Sequence, residues 1–299
     1  MYPARGSDAG GATSFSWPGL ALVVALSTAL VTMTAATAAA PPSPISTATT
    51  AALVTTVAKS TPSAIPTADP VAASVSPSAR SALGTKIVLN PGHNGGNASH
   101  PGAISRQVPA GFGRHKSCDT TGTATNAGFS EHSFNWDVSL RVRQILQSRG
   151  ITVIMTRASD SGFGPCVDQR ARIGNQVGVA GVVSIHADGA LSSGHGFHVS
   201  EASRPPHGAA VAAASHRLTV ALHNALRAGS GMTTSTYLGS NGYFPRSDLA
   251  GLNLATVPAT FLEIGNMRNP GDAAIQTSSS GRQRIAVAVA NGILRWLGR

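Results

Sequence analysis

Four side chains in this 299-residue chain could share hydrolytic chemistry: His93, Glu131, His186 and Glu263. Three of them stand just beyond or at the end of apolar runs. Lys86-Ile87-Val88-Leu89-Asn90 leads through Pro91-Gly92 to His93, Gly181-Val182-Val183-Ser184-Ile185 leads to His186, and Ala259-Thr260-Phe261-Leu262 leads to Glu263 before Gly265-Asn266 breaks the run. A carboxylate after Phe261-Leu262 is costly to bury unless it meets a cation, a metal-bound water or several donors. Two imidazoles and one carboxylate make a known catalytic zinc set, with the fourth position left for water. The spacings are long and contain no local H-E-x-x-H pattern. Taken singly, each residue therefore keeps a plainer reading. His93 could be a solvated turn histidine, His186 a satisfied core histidine, Glu131 a carboxylate answering a helix dipole, and Glu263 a core glutamate paired with an arginine.

The elements that must position these residues alternate. Strands are expected at 86–90, 151–156, 181–186, 196–200 and 259–264, and helices from Glu131, over 167–176, 209–227 and 282–297. In the helix opened by Glu131, Phe134, Val138, Val142, Ile145 and Leu146 share one face, Ser130 can cap and Gly150 ends it. A strand, a helix and a second strand with a short return make a parallel βαβ unit. The fold class is α/β: a single domain with a twisted, mostly parallel sheet flanked by helices on both faces. Open sheets of this kind gather their chemistry at the carboxyl ends of the strands, where His93, His186 and Glu263 would emerge. The stretch 91–130 reads as a long substrate-side loop, and His198 as structural or substrate-facing.

Composition divides the chain. The apolar run Leu20 to Val31 and the small residues ending at Ala40 have the order of a secretory signal, so 1–40 is assigned to export, with an uncleaved anchor as the alternative and no stable membrane span after cleavage. Residues 41–83 are Ala, Ser, Thr, Pro and Val with hardly any charge, a tether too small-residued to bury a core. The folded domain is 84–299. The net charge of +10 falls almost wholly within it. For an exported protein the polyanion this would meet is the envelope or its wall polymers, with a merely solvated basic surface as the equal alternative, and no aromatic-basic motif supports nucleic acid as a partner. In an oxidising compartment the two cysteines, Cys118 and Cys166, favour one disulfide.

Asn90-Pro91-Gly92-His93, Glu131 opening its helix, Thr156-Arg157, Arg172 to Asn175, Ser184-Ile185-His186-Ala187-Asp188 and Leu262-Glu263-Ile264-Gly265-Asn266 resemble the ordered motifs of the zinc-dependent N-acetylmuramoyl-L-alanine amidases. Arg246 to Asn253 and the cysteine pair make the resemblance closest to the exported single-domain mycobacterial and actinobacterial branch. The resemblance implies one zinc ion held by His93, Glu131 and His186, with Glu263 as the catalytic glutamate. It also implies hydrolysis of the amide between the lactyl group of N-acetylmuramic acid and L-alanine in peptidoglycan, by a monomer secreted to the periplasm or cell wall. Arg246, Asn253 and Asn266 are candidate stem-peptide contacts. Two positions depart from the family pattern: Asn90 where most members have Asp, and Asn94 before Gly95-Gly96. The first bears on the hydrogen bond that would orient His93, and it removes no ligand. Another exported zinc peptidase, or a catalytically silent wall-binding regulator, are the competing readings.

Overall fold

In the computed structural model, residues 85–299 are described. The expected signal and tether lie outside these residues. Strand β1 (Lys86–Pro91) is followed by the short helix α1 (Pro101–Ser105) and by strands β2 (Gln107–Gly111) and β3 (Arg114–Ser117). Helix α2 (Glu131–Gln147) leads into β4 (Thr152–Met155), and α3 (Val167–Gly174) into β5 (Val179–Asp188) and β6 (His198–Ser200). Helix α4 (Gly208–Gly229), the single turn α5 (Ala250–Asn253), β7 (Ala259–Asn266), α6 (Pro270–Thr277) and α7 (Ser279–Trp296) complete the order.

The five-stranded sheet runs β4-β1-β5-β7-β6. All its pairs are parallel except β6 against β7. Because side chains alternate across a strand, β1 feeds two cores. Ile87 and Leu89 join Phe134, Val138, Leu222, Val289 and Ile293 on the face covered by α2, α4 and α7, whereas Val88 joins Val182, Leu252 and Ala259 on the other. Among the described residues the second face is covered by α3, α5, a small hairpin and loop residues such as Ala202 and Val257. His186 and Glu263 alternate with Ile185 and Leu262 of the first core and so open onto this thinner cover.

Three details correct the sequence reading. The stretch 91–130 is not an irregular loop, since β2 and β3 pair as an antiparallel hairpin within it. Val108 and Ala110 point inward while Gln107 and Pro109 face out, an alternation that the proline and glycines mask in the sequence. The strand expected from Gly196 starts only at His198, because Gly196 takes φ 92° with its amide given to Asp272 Oδ2, and Phe197 pairs with Thr234 outside the ladder. Ser130 does stand at the N-cap of α2, yet its hydroxyl donates to Ser133 Oγ at 3.0 Å and makes no capping bond.

Candidate metal centre and active site

His93, Glu131 and His186 are brought together at the carboxyl edge of the sheet. Each offers a ligand atom, and these atoms lie within 4.8 Å of one another. Glu131 is the hub: its Oε2 lies 3.2 Å from His93 Nε2, and its Oε1 2.9 Å from His186 Nδ1. The carboxylate also accepts from the Thr123 and Ala187 amides at 3.0 and 3.3 Å. Burial disfavours charge on Glu131, but the two imidazoles outweigh it and hold its pKa well below the usual carboxylate range. Burial likewise opposes charge on His93, where Glu131 and Asp119 prevail and raise the pKa to about 10. At His186 burial wins and the pKa is lowered. A carboxylate that binds two imidazoles this tightly holds protons in a place where a cation would serve as well. Two nitrogens and one carboxylate converging in this way fit a single metal ion with a position left open.

Local backbone makes the convergence possible. His93 takes φ 57°, a left-handed conformation that costs a non-glycine residue on the order of 1–3 kcal/mol. What holds it there is Arg170, buried in α3. Its guanidinium donates to Asn90 Oδ1 at 3.1 Å, Pro91 O at 2.7 Å and His93 O at 2.9 Å. Gly92 lets the His186 ring pass so closely that a Cβ there would lie 2.0 Å from it. Gly122 does the same for Glu131, whose Oε2 would be 2.7 Å from an added Cβ.

Glu263 faces the cluster from β7. It is the Cα register partner of His186 on one side and of His198 on the other, so the three side chains leave the same face of the sheet on one rung. Its Oε2 is buried and has no hydrogen-bond partner among the described residues. Burial, reinforced by the charges of Glu131 and Asp188, pushes its pKa well above the usual range. The buried arginines do not neutralise it: Arg170 pairs with Asp119, and Arg157 with Asp160. A cavity of about 400 Å³ joins Gly92, His93, His186, Phe261 and Glu263 to Lys116 on the hairpin. A larger cleft of about 530 Å³ lies by Glu201, His216 and Ala259, at the opposite end of β7, and contains none of these residues.

The sequence profile described as N-acetylmuramoyl-L-alanine amidase matches residues 87–295. The chain belongs to the N-acetylmuramoyl-L-alanine amidase family. Among amidases of known sequence it is 42% identical over 230 residues to N-acetylmuramoyl-L-alanine amidase Rv3717 of Mycobacterium tuberculosis, covering 77% of this chain and 93% of that one. Among solved structures it is similar to the N-acetylmuramyl-L-alanine amidase Ami1 of Mycobacterium smegmatis, with 46% identity, a TM-score of 0.68, and coverage of 72% of this chain and 98% of that one. The apo form of Ami1 from Mycobacterium abscessus gives the same identity and TM-score over 72% and 99% of the two chains.

The remaining candidates of this amidase fall in different places. Arg246 is half-buried, its Nε 2.7 Å from Asp248 Oδ1. Asn253 is buried and donates to Ala110 O at 2.9 Å and Ser247 O at 3.0 Å, tying the hairpin to α5. Asn266 is buried too, donating to Leu191 O and Gly194 O at 2.8 and 2.7 Å and accepting from the Ala190 amide at 3.0 Å. Both amides are committed to backbone. Cys118 and Cys166 are joined in a disulfide, their Cα atoms 4.4 Å apart.

Asp119, like Arg170, is a residue that sequence reasoning missed. Its Oδ1 lies 3.0 Å from His93 Nδ1. Asn90, by contrast, lines the same cavity but spends its amide elsewhere: it donates to Ser184 Oγ at 2.9 Å and accepts from Thr156 Oγ1 at 2.8 Å. The available signal was position, a carboxylate directly after a cysteine in a loop that returns towards His93.

Proposed function

We propose that this protein is an exported zinc amidase that hydrolyses the amide joining the lactyl group of N-acetylmuramic acid to the L-alanine of the peptidoglycan stem peptide. The observation that carries the reading is the meeting of His93, Glu131 and His186 within 4.8 Å beside an unpaired Glu263 in an open cavity. His93, Glu131 and His186 would hold the ion. When bound, zinc supplies Lewis acidity to the scissile carbonyl and to the attacking water.

The chain's own groups account for the proton. Glu263 accepts a proton from water as the hydroxyl oxygen bonds to the lactyl carbonyl carbon, and the same carboxyl returns it to the alanine nitrogen as the C–N bond breaks. The products are a lactyl carboxylate and a stem peptide with a free amine. Glu263 suits this shuttle because burial and the neighbouring Glu131 and Asp188 charges strengthen its hold on a proton. Phe261 walls the cavity beside His186, and Lys116 at its rim offers a cation to an anionic wall fragment. Arg246, the candidate contact least committed to backbone, supplies a second positive charge felt at Glu263.

No helix among the described residues is long and apolar enough to cross a membrane, which suits a protein released after its expected signal at 1–40. Digestion of a defined muropeptide by the zinc-loaded protein tests the proposal. Release of the intact stem peptide with a free L-alanine amine supports it. Release of single terminal amino acids would make the protein a peptidase, and bound zinc without turnover would make it a wall-binding regulator.

A further inference from the structure

We infer that Asp119 sets how tightly the site grips its metal, and that Arg170 and the Cys118–Cys166 bridge hold Asp119 in place to do so. The inference rests on the metal-binding reading above. Asp119 is buried and divides its carboxylate. Its Oδ1 meets His93 Nδ1 at 3.0 Å and the Thr120 amide at 2.8 Å, and its Oδ2 meets Arg170 Nη2 at 3.2 Å. An imidazole that gives its Nδ1 proton to a carboxylate keeps the other nitrogen free as a donor to metal. In this site that other nitrogen is Nε2, the one 3.2 Å from Glu131 Oε2. Thr120 O stands at the same 3.0 Å from Nδ1, and the Thr120 amide is itself held by Asp119 Oδ1, so Asp119 fixes the tautomer and the rotation of the ring together with the carbonyl it positions.

The Asp119 amide donates to Ile104 O at 3.1 Å and the Cys118 amide to Arg106 O at 2.7 Å, and a covalent link ties this segment to α3 as well. Asp119 follows Cys118, whose sulfur is bonded to that of Cys166, and Cys166 is the N-cap of α3, the helix that carries Arg170. The Val167 amide also donates to Cys118 O at 2.8 Å. The bridge thus joins the backbone one residue before Asp119 to the helix turn that presents Arg170. Arg170 in turn grips His93 O and the end of β1. The disulfide, the Asp119–Arg170 pair and the strained His93 form one closed circuit around a single metal ligand.

The test is the zinc dissociation constant, measured by competition with a chromophoric chelator. Asp119→Ala should bind zinc about 10- to 100-fold more weakly than the wild type, the usual loss when the partner of a ligand histidine is removed. Asp119→Asn keeps an acceptor without the charge and should fall between. The Cys118→Ser/Cys166→Ser protein should also bind more weakly. Adding Asp119→Ala to it should cost less than the same change costs alone, because both act through one circuit. The visible spectrum of the cobalt-loaded protein should shift with Asp119→Ala, a change that loss of stability alone does not produce. A folded Asp119→Ala protein that binds zinc within twofold of the wild type overturns the inference, whatever happens to its melting temperature. If that variant does not fold, Asp119→Asn carries the test at the same threshold. Wild-type affinity in the cysteine-free protein overturns the role of the bridge. A wild-type protein that takes up no zinc removes the metal reading itself, which separates that failure from this one.

Discussion

The imidazole of His186 lies almost flat on the ring of Phe261, with 4.3 Å between centroids and 20° between planes. A ligand on β5 is thus steadied by β7, the strand that carries Glu263 two residues further on. Substitutions on β7 could act on metal or on proton transfer, and the two have to be separated.

Glu263→Gln separates them. The amide is nearly isosteric and leaves Phe261 in place, so zinc per protein after dialysis should match the wild type. The initial rate on a muropeptide should fall by 10² to 10⁴-fold or more, the range for losing a general base. His186→Ala should lose zinc and activity together. Metal loss in Glu263→Gln as severe as in His186→Ala would make Glu263 a ligand.

Gly92→Ala should behave like a ligand deletion although it removes no ligand. The new methyl would sit 2.0 Å from His186 Cε1, and the buried ring has no way round it. Zinc content should drop while the protein stays folded. Gly102→Ala, which meets nothing within 4 Å, is the matching control and should bind zinc normally.

His198 should make the metal-free protein acid-sensitive. The ring is fully buried with no partner for either nitrogen among the described residues. Burial lowers its pKa from 6.5 to about 4. Above pH 6.5 the ring is neutral folded or unfolded. As pH falls towards 4, the unfolded chain takes a proton that the folded one refuses, so stability is lost across that window. The loss is about 3 kcal/mol. His198→Phe keeps the edge contacts to Tyr237 and Phe244 and removes the titration. Urea unfolding from pH 7 to pH 4 should show the variant gaining on the wild type by roughly that amount, and parallel curves would refute it.

The net charge of +10 gives a fourth expectation. Exposed charges act over roughly 8 Å at physiological ionic strength, so capture of anionic wall polymer should weaken steeply with salt. Co-sedimentation of Glu263→Gln protein with insoluble peptidoglycan checks this without digesting the ligand. Binding unchanged between low and high salt would mean that the charge serves solubility alone.

Much of the scaffold was legible because it obeys simple periodicities. The apolar runs of β1, β5 and β7 and the Phe134–Val138–Val142 stripe have no other economical reading, and the four polar residues at their ends followed. The hairpin was not legible, since Pro109, Gly111 and Gly113 read as breakers although the backbone exploits them at an edge and a turn. Asp119 and Arg170 were hidden for another reason. Their roles arise only when two loops 48 residues apart are bridged, and no local pattern records that. Asn253 and Asn266 show the converse: a motif points to them, and their amides are occupied by backbone.

The rung that aligns His186, Glu263 and His198 has a consequence for the cell that makes this enzyme. A slip of one residue between β5 and β7 would send one of the pair to the opposite face, so no near-miss of the fold retains a weakened site. The four chemical residues span positions 93 to 263, and the last of them stands on β7, which lies between β5 and β6 in the sheet. A chain that stops before β7 lacks Glu263, and its site is incomplete.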